Sequence, residues 1–493
     1  MHDVDAPGPV QPKEPASGIA SRDHGQGEQT EEEEVWTERR ILKNLLLISF
    51  TFFILFTCYG GLSSLQSSLH IQEGMGVINQ SILYGVLAFS CLSLPKLVIN
   101  YLGHKWSLIV SMIGYILWMA ANGYAVWATM VIASILVGLS ASVLWTSQCA
   151  YFAIIAQKYA ALRGESAETV NARFFGIFFA IFRLNGVASA VIQTTVLHQG
   201  QPENHTGPSD EEIAQCGLND CPWNNMTNDN FESPPSHVLW TLVGIYIGVS
   251  IVGLIMAAIW VDPLPKSWTQ TKKPSVGLKK ELRQLLSAVV LNLRHLNQLL
   301  LIPITIYSGL EQTFYGSEYS RSYITCNLGM WMVSLITLPS SVVNALTAFS
   351  MGRLVKHTGV IPIFIAGMPV DVAMQLMLFL WKPHPDEIFL IILIPMLQGF
   401  TDGIWQTQIN ALYSCLFPTE SEAAFGNYRL WESVGFIAAY AWSSHLCFSV
   451  KLLLTTVWFY FGSALLLVVL VKERNKTNVR ITSLELEVET TKM

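Results

Sequence analysis

The sequence predicts an all-α polytopic membrane protein with twelve transmembrane helices in two six-helix halves. Three observations carry this: a composition too apolar for a water-facing surface, a dozen apolar stretches of bilayer length, and motifs recurring at a nearly fixed offset. Of 493 residues, 51% are hydrophobic and only 13% charged, against roughly 25% charged in an average soluble protein. The first 40 residues hold 14 of the 64 formal charges, and long later stretches hold none. The composition excludes a secreted disulfide scaffold, a disordered chain and a basic nucleic-acid binder. Net charge −6 identifies no partner, because its sign changes from loop to loop.

A bilayer core needs roughly 20 mostly apolar residues per helix. Candidate spans run near 41–62, 80–99, 107–126, 128–156, 174–197, 237–261, 298–316, 328–351, 360–381, 387–410, 428–448 and 452–471. Gly, Pro and Ser interrupt several, which membrane helices tolerate. Residues 1–40 read as a disordered acidic cytosolic tail with its run Glu31 to Glu34, and contain no apolar signal segment. Residues 41–261 then form the first bundle, 262–296 a basic cytosolic linker, 297–471 the second bundle and 472–493 a cytosolic tail.

Lys and Arg set the orientation. With the N-terminus cytosolic, cytosolic segments hold 24 of the 29 basic residues, and the outer loops hold Arg321, Lys382 and Lys451. Loop 198–236 has seven acids and no Lys or Arg, whereas 262–296 has seven basic residues, so the first is expected outside and the second in the cytosol. The basic linker is placed to contact anionic lipid at the inner leaflet. Sequons at Asn204 and Asn225 lie in the outer loop, where glycosylation is expected. Asn79 heads a third sequon, close to the membrane. Of eight Cys, most lie within spans as apolar filler. Cys216 and Cys221 share the outer, oxidising loop and are candidates for a local disulfide, with Cys326 as a competing partner.

The second half echoes the first. Leu144-Trp145-Thr146-Ser147-Gln148 matches Ile404-Trp405-Gln406-Thr407-Gln408 at an offset of 260. Asn171-Ala172-Arg173 matches Asn427-Tyr428-Arg429 at 256, and the segment around Gly103-His104 matches that around Gly359 at the same offset. Three weak matches in order outweigh any one alone. Parallel six-helix halves joined by a long linker are the major facilitator plan, with a central cavity at mid-membrane. The short loops at Gly103 and at Gly352 to Gly359 resemble that superfamily's glycine-rich gate signature, with Asn100 at its acidic position.

Longer strings make the resemblance specific. They include Tyr59-Gly60-Gly61-Leu62, Leu65-Gln66-Ser67-Ser68-Leu69, Phe175-Gly176-Ile177-Phe178-Phe179, Tyr307-Ser308-Gly309-Leu310 and Asn427-Tyr428-Arg429-Leu430-Trp431-Glu432. Across residues 41–471 the chain is similar to the uncoordinated-93 family, most of all its A-type branch. The resemblance implies the major facilitator fold, a cell-membrane address with both termini cytosolic, and one of two roles. One is carriage of a small solute by alternating access. The other is regulation or scaffolding of a membrane partner such as a potassium channel. Members of the family usually carry uncharged polar residues at the positions of Arg183 and Glu311, so a mechanism common to the family does not depend on those two.

A charge at bilayer depth costs roughly 2.5–3.5 kcal/mol on insertion scales. Arg183, Glu311, Asp371, Asp402 and Glu432 therefore stand out. Arg183 is expected to pair with Glu311 or Asp402 across the cavity, to suit an anionic substrate or a proton-coupled carboxylate, or else to form a structural ion pair. Trp145 with Gln148, and Trp405 with Gln408, are three apart and share a helix face. They are expected either to face the cavity or to pack between helices. Glu318, Tyr319 and Arg321 are expected on an outer loop, with Glu318 and Arg321 pairing together or meeting a partner. Arg429 and Glu432 read as a clamp.

No phosphate-binding loop, metal-spaced His/Cys cluster or nucleophile motif is present, so no enzyme activity, cofactor or metal is expected. The implied partners are membrane lipid, an unidentified small solute and a channel subunit or other membrane protein. One test follows from the loop assignment. Glycosidase is expected to speed the gel migration of wild-type protein, and the double variant Asn204→Gln, Asn225→Gln is expected to show no such shift. An unshifted wild type from glycosylating cells removes the external assignment of loop 198–236.

Overall fold

Lipid offers backbone groups no hydrogen-bond partners, so a chain this apolar must close its bonds within helices. The computed structural model describes residues 36–66, 75–91, 93–197, 209–224, 235–265, 267–268, 295–418, 421–443 and 445–492, with side chains to 475, and these contain helices and no strand. The first half comprises α1 (Glu38–Ser64), α2 (Met75–Ser90), α3 (Leu94–Gly123), α4 (Trp127–Arg163), α5 (Ala167–Arg183), α6 (Asn185–Leu197) and α7 (Ser236–Trp260). The second comprises α8 (Leu296–Thr313), α9 (Val333–Thr358), α10 (Val360–Leu380), α11 (Ile388–Leu416), α12 (Ser421–Ser443) and α13 (Phe448–Lys492).

Among the described residues, nine helical stretches are long and apolar enough to cross a membrane. The candidate spans not among them correspond to α2, α8 and α12. Those three helices line the cavity described below; α8 and α12 are the more polar for it, whereas α2 is apolar but only 16 residues long. Local signals set several boundaries. Thr37 caps α1 by accepting from the Arg40 N–H, and Ser166 caps α5 by accepting from the Thr169 N–H. Gly164 ends α4 at φ +64°.

The repeat found in the sequence is visible in the backbone. Gly103 has φ +73° and bends α3 into two helices, and Gly359, 256 positions on, has φ +75° and separates α9 from α10. Both lie in the left-handed region, where a side chain is strained.

The described stretch begins and ends at one end of the bundle. Glu38 meets Arg163, Asn297 bonds Lys472 and Glu473, and Glu165 feels the charge of Lys356 at the foot of α9. At this terminal end Trp36 packs on Trp268 at 5.1 Å, and Asp262 receives Asn44 at 2.8 Å, Lys43 at 2.7 Å and Arg40 at 3.2 Å. Partial burial pushes the Asp262 carboxyl up, but those donors together outweigh it and hold the group below its usual value.

The opposite end carries two disulfides, which correct the expected local Cys216–Cys221 bridge. Cys216 joins Cys326, and Cys221 joins Cys447. A 3₁₀ turn at Gly217–Asn219 seats the segment on the second half, where Ser322 donates to the Asp220 carboxylate and the Phe448 N–H to its carbonyl at 2.9 Å. Each cysteine therefore faces a different partner. A second correction concerns the outer loop after span seven. The chain continues from α8 as a π-helical segment, Phe314–Thr325, that buries Glu318 and Tyr319. Glu318 pairs with the buried Lys451 at 2.7 Å, not with Arg321, and Arg321 lies 3.8 Å from Asp220. Tyr319 donates to the Ile391 carbonyl at 2.8 Å, so neither Glu318 nor Tyr319 presents a contact surface.

Asn204 and Asn225 lie outside the described residues, as do residues 1–35 and most of the basic linker. Asn79 is buried in α2, bonding the Met75 carbonyl.

Two measurements check this account. Non-reducing peptide mapping is expected to recover Cys216 with Cys326 and Cys221 with Cys447, and Cys216→Ser to lower stability by about 2–4 kcal/mol. Because the Asp262 carboxyl is held below its unfolded value, its contribution is complete above that value and is lost as pH falls through the folded one. Asp262→Asn is expected to cost about 1 kcal/mol at neutral pH and to flatten the acid limb of stability.

Candidate functional site

Among the described residues, the helices leave a space between the halves, a cavity of about 280 Å³. Toward the disulfide end its lining is polar, from Ser63 of α1, Gln66 just beyond it, Gln80 of α2, Gln312 of α8 and Ser317 of the π-helical segment. Its walls are aromatic. Tyr84 stacks on Phe436 with centroids 4.3 Å apart, and the Trp145 ring meets Phe56 and Phe182 edgewise at 5.1 and 5.4 Å. Tyr59, Tyr115, Phe179 and Tyr440 complete the lining.

Toward the terminal end the halves close. Asn171 accepts from the Ser414 hydroxyl at 2.8 Å, and Phe175 packs on Phe425. Gly176 of α5 meets Gly352 of α9 so closely that a Cβ on Gly176 would stand 2.9 Å from the Ala348 carbonyl oxygen. That contact requires glycine.

Of the residues expected here, Trp145 and Arg183 line the cavity. Arg183 pairs with Asp402, which joins α5 to α11 and selects between the two carboxylates offered by the sequence. Asp402 is fully buried behind Arg183 and takes an Asn344 amide donor at 2.7 Å. Glu311 is also fully buried. One of its oxygens accepts from Gln398 at 2.9 Å, and the other has no hydrogen-bond partner.

The symmetric Trp–Gln pairs do not act symmetrically. Trp405 turns into the second half, where it and Tyr307 donate to Asp371 at 2.8 and 3.1 Å. Gln148 is buried beside Cys149, and Gln408 beside Thr407. None of these three lines the cavity, because each helix turns a different phase toward it. In α11 that phase runs through Gln406, adjacent to the Trp405 that the repeat highlighted.

The Arg429–Glu432 clamp forms as expected, but inside the cavity and not at a membrane edge. The Arg429 guanidinium lies over the Trp145 ring at 4.4 Å, so it bridges the halves. Glu432 also accepts from Tyr428 at 3.1 Å and Gln312 at 3.3 Å. Sequence reasoning missed Tyr84, Gln312 and Gln406 as lining residues. The low apolarity of its span was the available signal for Gln312.

A family profile described as "Ion channel regulatory protein UNC-93" matches residues 67–467. "Protein unc-93 homolog A" of Xenopus laevis is 39% identical over 413 residues, 83% of this chain and 89% of that protein. The "Putative potassium channel regulatory protein unc-93" of Caenorhabditis elegans is 29% identical over 86% of this chain and 60% of its own length. Among solved structures, the human organic anion transporter MFSD10 superposes with a TM-score of 0.58 at 13% identity, over 87% of this chain and all of that one. That similarity shows the fold alone, a major facilitator transporter architecture. With a profile spanning most of its length and a relative at 39% identity, the chain belongs to the UNC-93 family.

Proposed function

We propose that this protein is a solute carrier that works by alternating access around the aromatic cavity, in the cell membrane with both termini cytosolic. The observation that supports it most is the cavity itself: it lies between two parallel halves and is backed at one end by the Gly176–Gly352 contact. Parallel repeats of this kind place substrate sites at mid-membrane. The basic segment 262–296 and the shared end of the described termini support the orientation. We assign ion coupling to Glu311, a buried carboxyl with one unpartnered oxygen and no salt bridge of its own. An intramembrane ionisable group of this kind is a default candidate for a proton relay.

The second reading, regulation of a membrane partner, is favoured by the description of the family profile and the printed name of the nematode relative. In that case the fold would serve as a scaffold. Co-purification with a channel subunit, together with no flux across a broad solute panel, is the result that selects it.

The carrier reading is tested by uptake into proteoliposomes. Saturable flux is expected, and Trp145→Ala is expected to reduce it strongly by removing a wall shared with Arg429. Glu311→Gln is expected to abolish the dependence on a proton gradient while leaving solute binding intact. Glu432→Gln leaves the buried Arg429 without its counter-charge and is expected to cost about 3–5 kcal/mol of stability.

A further inference from the structure

We propose that the cavity recognises a small organic anion, a monocarboxylate on a flat apolar body, held by the guanidinium of Arg183. The proposal rests on reading the cavity as a ligand site and deepens that reading by naming a substrate class.

Among the described residues, three charged side chains line the cavity: Arg183, Arg429 and Glu432. Two of them use their charge on each other. Arg429 is 5% exposed and bonded to Glu432, with its faces covered by Trp145 at 4.4 Å and Tyr428 at 4.7 Å. The Glu432 carboxylate already accepts from Arg429, Tyr428, Gln312 and Ser308. Three of these donors meet Oε1 and Arg429 meets Oε2, so an ammonium ligand would have to compete with the Arg429 charge for that oxygen.

Arg183 differs. Its side chain is 23% exposed, and its Nη2 meets Asp402, which does not reach the cavity. Among the described residues its Nε and Nη1 make no hydrogen bond; the Nε is buried, as is the equally unpartnered Nε of Arg429, so the exposed part of the guanidinium is what sets Arg183 apart. A guanidinium has five donors, and one carboxylate takes at most two. The edge turned to the cavity is thus a cationic donor with unused capacity, and Asp402 fixes its orientation from behind. Glu311 and Asp371 also lie within electrostatic reach of Asp402 and are fully buried. Neither lines the cavity, although Glu311 also feels the charge of Arg183.

The walls specify the rest of the ligand. Phe182 lies beside Arg183, and the Tyr84–Phe436 stack faces the same space. Flat faces of this kind favour offset or edge contacts with a ring. A volume of about 280 Å³ limits the body to one or two rings. The geometry therefore fits an aryl carboxylate better than an aryl amine, whose charge Arg183 would repel.

The test uses the purified full-length protein and three ligands of one shape: 2-naphthoate, 2-naphthamide and 2-naphthylmethylamine. Binding is read from tryptophan fluorescence and thermal shift, with no flux required. The acid is expected to bind about ten- to hundredfold more tightly than the amide, as loss of a charge-assisted hydrogen bond implies. The amine is expected to bind most weakly. Arg183→Lys should retain part of the preference. The double variant Arg183→Gln, Asp402→Asn removes both members of the ion pair, so neither is left without the other, and should abolish it. Equal affinity for acid and amide, an unchanged preference in the double variant, or no binding of the acid up to its solubility limit overturns the proposal. Acid-selective binding without flux of any solute leaves the site standing and removes the carrier reading. Flux of another solute without acid preference does the reverse.

Discussion

The two halves of this molecule are held in register by charge that has no other place to go. Arg183 from the first half and Asp402 from the second are each costly in a low-dielectric interior, and each becomes tolerable only in the presence of the other. Arg429 and Glu432 solve the same problem within one helix, and the Arg429 face then reaches across to Trp145. The position of α5 against α11, and of α12 against α4, follows from these two pairings. So does the shape of the space between them.

Duplication supplied the frame but not the site. Gly103 and Gly359 keep nearly the same backbone angle, which is what a copied turn requires. Their surroundings have diverged. Arg173 binds Glu165 at the terminal end, whereas its repeat mate Arg429 is buried in the cavity wall. Trp145 faces the cavity, whereas Trp405 serves as a donor to a buried aspartate. A repeat preserves helix positions more readily than the phase each helix turns inward, because a small rotation changes which side chains meet.

That difference decides how much was legible in the sequence. Apolar run length gave the helices, and the basic asymmetry together with the offset of 256 gave the tandem halves. Arg183 and Asp402 were readable as partners because membrane burial makes any charge conspicuous. Glu318, Arg321 and Lys451 were misread, because continuation of α8 as a π-helical segment leaves no mark in hydropathy, and it turned an expected loop into core. The cysteine pairing was legible in part: Cys326 stood as a competing partner, but Cys447 did not, since the pairing depends on where Asp220 docks and not on spacing. Gln406 escaped notice because nothing in a single sequence shows which side of α11 faces its neighbour.

The two disulfides also change what a cut in the chain means. The bonds from Cys216 to Cys326 and from Cys221 to Cys447 enclose everything between them, including the basic stretch 262–296. A protease that severs that stretch breaks the polypeptide without dividing the protein. The pieces stay fastened to each other until a reductant reaches the opposite face of the membrane.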